Sequence, residues 1–176
     1  MNGVIEKILC DITNKKSAIF NLSDQHTKRE TTITKLLFRA LGWNDVESKY
    51  YNGLFGYKRL HTDGCRKIND KLVIIEVKAV KPKGRDGYEY GYWNALSQGL
   101  IYSYQQQRLS SEQNFLVLCI ILDWGRAAGT ILNDYEKQFL NKVRNDKIHF
   151  LRMSMTNKKF IEHNMNTNWA IIHEDG

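Results

Sequence analysis

Proline is almost absent from this chain: Pro82 is the single instance in 176 residues. No linker, internal repeat or low-complexity tract interrupts the sequence, and its length suits one domain with a substantial core. Cysteine is scarce as well. Cys10, Cys65 and Cys119 are odd in number and lack CxxC spacing, which points to a reducing compartment and away from a zinc site. The five histidines are scattered and form no metal-binding tract. Long apolar runs are missing too. The longest, "FLVLCIIL" at 115–122, is too short to cross a bilayer. The opening "MNGVIEKILCDITNKK" carries Glu6 and Asp11 inside its apolar part, which argues against a secretory signal. A cytoplasmic protein without a membrane partner is the expectation.

What is present is an ordinary globular composition, 42% hydrophobic and 26% charged. Lysine and arginine exceed the acids by 26 to 19, a formal charge of +7. A basic excess of this size favours a polyanionic partner, nucleic acid first and an anionic membrane surface second. The 19 carboxylates make the chain more than a basic arm.

In "TKRETTITKLLFRALGW", Ile33, Leu36, Leu37, Ala40 and Leu41 recur at helical spacing, with Gly42 placed to end the helix. "YNGLFGYKRLHTDGCRKIND" mixes glycine turns with short β-prone pieces, and Asn69-Asp70-Lys71 reads as a hairpin turn feeding a strand over Leu72–Val80. A second helix is expected at about Asn94–Gln107, then an apolar strand in "FLVLCIIL", a helix in "ILNDYEKQFLNKVRN" and a strand in "KIHFLRMSM". The order α-β-β-β-α-β-α-β, with central strands that do not alternate, predicts an α/β fold: a mixed β-sheet core with helices on both faces. The core should run from about 27 to 154. Residues 1–25 carry no assignment, and 155–176 form a C-terminal extension in which "NMNTNWAIIHEDG" offers an edge strand.

The charged residues of "KLVIIEVKAV" carry the chemistry. Successive side chains of a strand alternate between faces, so Glu76 and Lys78 share one face while Ile75, Val77 and Ala79 share the other. Buried charges need a partner, a metal or water. An intrastrand ion pair on a partly exposed face would suffice. Asp63 offers more, because a hairpin turning at Asn69–Lys71 brings it beside Glu76 and Lys78 although twelve residues separate it from the glutamate. Two carboxylates and an ammonium at one sheet end make a hard-oxygen site of the kind Mg2+ prefers.

Asp63…Glu76-Val77-Lys78 resembles the PD-(D/E)XK nuclease superfamily, whose motif is an aspartate, a variable gap and E-x-K on the following strand. The resemblance covers about residues 30–102, and the order of elements extends it to about 154. Thr62 stands where the motif has proline, a departure common in the superfamily that lowers the specificity of the match. A second E-x-K, Glu47-Ser48-Lys49, lies in a polar segment without strand character. The resemblance implies a restriction endonuclease-like fold and a DNA nuclease, with an endonuclease favoured. In it Asp63, Glu76 and the Val77 carbonyl hold Mg2+ or Mn2+, and Lys78 orients the attacking water. The alternative is a catalytically inactive nucleic-acid-binding module on the same fold. Restriction and resolvase members often act as homodimers, although no stretch of this chain reads as an interface.

Two further features agree with the family. Glu30 falls near the azimuth of Leu37 on the core-facing stripe of its helix, and many members place a glutamate there beside the metal. It is also where the helix macrodipole alone favours an acid. Gln98 and Tyr102, four apart on one helix face, resemble the Q-x-x-x-Y motif of RecBCD-type helicase–nucleases, which helps position substrate. That face should lie opposite a Leu96–Leu100–Tyr104 stripe packed on the sheet, and a solvent-facing polar pair is the plainer reading. Between strand and helix, Lys81, Lys83 and Arg85 with Tyr88, Tyr90, Tyr92 and Trp93 suit a nucleic-acid backbone and unstacked bases. A solvated loop with core-capping aromatics, or a short β-ribbon, fits the same residues.

Overall fold

The computed structural model describes residues 2–53, 59–81, 87–109, 114–124, 147–155, 159–164 and 170–172. It opens with helices α1 (Asn2–Asn14) and α2 (Lys16–Phe20), a 3-10 turn at Ser23–Gln25, and helix α3 (Glu30–Leu41). Strands β1 (Tyr50–Asn52), β2 (Arg59–His61), β3 (Gly64–Ile68) and β4 (Lys71–Val80) follow, then helix α4 (Gly87–Leu109). The chain continues through β5 (Phe115–Asp123), β6 (Ile148–Ser154), β7 (Lys159–Asn164) and β8 (Ala170–Ile172).

The N-terminal segment left unassigned from sequence is helical because Val4, Ile5, Ile8 and Ile12 recur on one stripe and are buried, joined by Ile19 and Phe20 of α2. Gly42 closes α3 in the left-handed region (φ 69°), and the Trp43 N–H returns to the Phe38 carbonyl (3.0 Å), the bond that satisfies a helix's last acceptors. Asn69 and Asp70 both take positive φ (49° and 62°), so the β3–β4 hairpin turns on two residues, with Ile68 opposite Lys71.

Six strands form one mixed sheet in the order β3-β4-β5-β6-β7-β8. The central β4-β5-β6 pairings are parallel, and the flanking β3-β4, β6-β7 and β7-β8 pairings are antiparallel. β5 and β6 are buried along their whole length, as strands covered on both faces must be. One face of the sheet, with Val73, Ile75, Val77, Leu118, Ile120 and Leu151, packs against α1, α2 and α3. The other, with Ile74, Val117, Cys119, Ile121 and Phe150, packs against α4. The fold is thus α/β, a mixed β-sheet core flanked by helices on both faces. β1 and β2 pair only with each other, as a separate ribbon. Among the described residues no helix is long and apolar enough to cross a membrane.

Three expectations change. Helix α4 begins at Gly87, so the backbone of the tyrosine-rich segment is helical and not a β-ribbon; lengthening a helix costs less than nucleating a new element. The stripe of α4 that faces inward is Ala95-Gly99-Tyr102-Gln106, with Tyr104 53% exposed, so Tyr102 points into the protein and Tyr104 does not pack on the sheet. Glu47-Ser48-Lys49 is extended: Glu47 bridges Cys65, and Lys49 exchanges hydrogen bonds with Thr62. Polar composition hid this segment because its order comes from β3 alongside it. The helix expected in 131–145 and the loop residues Lys83 and Arg85 lie outside the described residues.

Candidate active site where β3 leaves β4

Strand β4 is paired on both sides only along its first half. The β3–β4 register ends at Gly64 opposite Ile75, while β5 accompanies β4 to Val80. Alternate residues of a strand direct their N–H and C=O to the same side, so beyond Ile75 the main-chain groups of Val77 and Ala79 face an edge with no strand. Acidic side chains take its place. Asp63 Oδ2 accepts the Val77 N–H at 2.7 Å, and Glu30 Oε2 accepts the Ala79 N–H at 2.9 Å. Asp63 is held there because Thr62 is anchored to Lys49 and Gly64 lies hard against its neighbours. A Cβ on Gly64 would sit 2.1 Å from Val46 Cγ1.

Glu76 and Lys78 lie on the α4 face of the same strand. The Lys78 ammonium donates to Glu76 Oε1 at 2.6 Å and reaches Glu30 Oε1 at 3.4 Å. Burial opposes charge on Lys78, but Glu76, Glu30 and Asp63 outweigh it and raise its pKa. Burial and the Asp63 carboxylate push the Glu76 pKa up to about 7, against the opposing pull of Lys78 and Tyr102. Desolvation also raises Asp63, offset in part by the Val77 N–H and Lys78. The side chains open outward in order: Glu76 is 3% exposed, Lys78 13% and Glu30 41%.

Tyr102 completes the inner wall. Its hydroxyl donates toward the His61 carbonyl (2.8 Å) and Glu76 Oε2 (3.1 Å). Burial and the Glu76 carboxylate raise its pKa, so it keeps its proton, and the Gln98 side chain hydrogen-bonds to it. One hydroxyl hydrogen faces two acceptors. A proton on Glu76 would let the acid donate to Tyr102 and Tyr102 donate to His61.

The structure therefore brings Asp63, Glu76, Lys78, Glu30, Val77, Tyr102 and Gln98 to one place. Lys81 stands at its margin with its ammonium committed to the His26 and Lys28 carbonyls, beneath Glu30. That staple fixes the turn from which Glu30 projects. Sequence reading missed Tyr51, Lys49 and Gln106, which support Tyr102 from behind. The Tyr51 ring stacks on Tyr102 at 5.8 Å, while the Tyr51 hydroxyl and Lys49 ammonium both donate to Gln106 Oε1 (3.0 and 2.7 Å). The available signal was the spacing of Gln106, four residues beyond Tyr102 on the same stripe.

Three carboxylates surround one ammonium here. Among the described residues no group of three or more His, Cys, Asp and Glu side chains forms a ready metal cage. Asp63, Glu76 and the main-chain carbonyl of Val77 are the oxygen groups that would have to supply the donors for an ion here. An all-oxygen set of this size fits Mg2+, which keeps several waters and binds few protein groups.

No family model and no curated protein matches the chain. Among solved structures, the crystal structure of an XisH family protein from Nostoc punctiforme is similar, with 11% identity over 80% of this chain and 97% of that one and a TM-score of 0.46.

Proposed function

We propose that the protein is a metal-dependent nuclease that hydrolyses phosphodiester bonds of DNA, with endonucleolytic cleavage favoured. The observation that carries this reading is the excess of carboxylates at the open edge of β4 around a lysine kept charged. The D…E-x-K resemblance and the basic net charge support it. Asp63, Glu76 and the Val77 carbonyl would hold Mg2+ or Mn2+, and the bound ion would supply phosphate polarisation and acidify a water. Lys78 orients the attacking water and offsets negative charge growing on the phosphoryl oxygens. Glu30 sets the Lys78 ammonium from the outer side. Beside the strand-holding role the resemblance implies, Tyr102 and Gln98 would position the Glu76 carboxylate through the Tyr102 hydroxyl.

A panel of plasmid, single-stranded DNA and RNA, incubated with and without Mg2+ or Mn2+, tests this. Cleavage requiring the ion, abolished in Glu76→Ala and Lys78→Ala while DNA binding persists, is the expected result. A folded Lys78→Ala protein that cuts as well as the parent would place the chemistry elsewhere. Ion-independent binding without any cleavage would favour the inactive nucleic-acid-binding module.

A further inference from the structure

The ribbon of β1 and β2 borders the site but takes no part in the hydrolytic chemistry. Two strands alone are marginal in water. This pair is held by its inner face, where Tyr51 stacks on Tyr102 and Gln105 Nε2 donates to the Asn52 carbonyl at 2.9 Å. The register sets Tyr50 opposite His61 and Asn52 opposite Arg59, so these four side chains share the outer face, and all four are exposed. Tyr50 is 63% exposed, and its ring lies 6.0 Å from that of His61 at 49°.

A single exposed tyrosine is ordinary. Here the two rings share a supported face with the exposed Arg59, and that face adjoins the site. His61 is two residues from Asp63, and its carbonyl shares the Tyr102 hydroxyl with Glu76. Aromatic rings beside cations are what an unpaired nucleotide needs, a stacking surface for the base and positive charge for the phosphate.

We propose that this outer face is a stacking shelf for an unpaired nucleotide of the strand bound at Asp63, Glu76 and Lys78. Tyr50 and His61 supply ring surface, and Arg59 meets an adjoining phosphate. The proposal rests on the nucleic-acid reading above and deepens it, because it selects substrates with a single-stranded segment over continuous duplex.

The test uses the full chain with divalent ions chelated, so that binding is read without cleavage. A labelled oligothymidylate and a duplex of equal length are titrated with the parent protein, Tyr50→Ala, Tyr50→Phe and His61→Ala. Thermal melting verifies that each variant is folded. The parent should favour the single strand. Tyr50→Ala should weaken single-strand binding about tenfold with duplex binding unchanged, and Tyr50→Phe should restore it. Irradiating the parent with an oligonucleotide carrying 5-iododeoxyuridine should crosslink it at Tyr50 or His61. Unaltered single-strand affinity in folded Tyr50→Ala and His61→Ala, in a protein that still cleaves, removes the shelf alone. An equal loss on duplex and single strand also overturns it, since that pattern shows no preference for unpaired bases. A parent protein that binds neither nucleic acid form removes the shelf, and one that also fails to cleave when Mg2+ or Mn2+ is restored removes the nuclease reading.

Discussion

Two buried ion pairs lie on the α4 face of one sheet and differ in kind. Arg152 Nε meets Asp123 Oδ2 at 2.8 Å, and the two side chains are 2% and 0% exposed. Lys78 meets Glu76 at 2.6 Å, and that pair opens through Glu30 to solvent. They are near neighbours. The register sets Lys78 level with Ile121 and Arg152, and Val80 level with Asp123. The Asp123–Arg152 pair closes an interior where no solvent reaches. At Lys78 three acids compete for one base beside an unpaired strand edge. Buried charge by itself therefore does not single out the candidate site. An excess of one sign at the point where a ladder ends is what separates the site from the architecture.

Removing one partner should widen that contrast. Arg152→Ala takes away the guanidinium that meets Asp123 in the interior and should lower stability by about 3–5 kcal/mol in denaturant unfolding. Lys78→Ala should cost far less stability, because Glu76 takes up a proton and Glu30 is already near water. Equal losses for the two would erase the distinction.

A smaller effect, of about 1–3 kcal/mol, is expected for Gly64→Ala, whose new methyl meets Val46. Cleavage should fall with it, since Asp63 is the adjacent residue, and adding Val46→Ala should recover both. Recovery of neither would show that the Gly64–Val46 contact does not hold Asp63.

Acidity gives the finest test. Glu76 binds its proton more tightly in the folded protein, with a pKa of about 7 against an ordinary 4.5. Metal-free stability should therefore be greatest below pH 4.5 as far as this group is concerned, fall as pH rises towards 7, and level off above. Glu76→Gln keeps an acceptor for Lys78 and removes the charge. It should flatten that slope and stabilise the metal-free protein at pH 8 by about 1–3 kcal/mol. An unchanged slope would assign the titration to another group.

Much of the site was legible because its parts are local. The alternation of "KLVIIEVKAV" put Glu76 and Lys78 on one face, and the Asn69–Asp70 turn brought Asp63 to the strand's far end. Residues of α4 were harder to read. Its polar and apolar residues are mixed because one side meets the sheet and another meets the ribbon, so no single stripe stands out. The expected stripe holds at Leu96 and Leu100, which pack with the α4-face cluster, and fails at Tyr104, which is exposed while Tyr102 is buried. The ribbon was invisible for a related reason: its strands of three residues are too short for a pattern and are held by Tyr102, Gln105 and Gln106, some fifty positions away.

By itself the sequence determined the helix over α3 with its glycine stop, the hairpin turn ahead of β4, the buried central strands and the shared face of glutamate and lysine. Each depends on neighbours a few residues apart, where backbone geometry sets which way side chains point. Tertiary structure alone decided that β3 would part from β4 after Gly64, that Glu30 and Asp63 would cap the edge so exposed, and that Tyr102 would turn in to hold Glu76. Those outcomes depend on which distant surfaces fill the same space, and close packing admits one arrangement that no local pattern encodes.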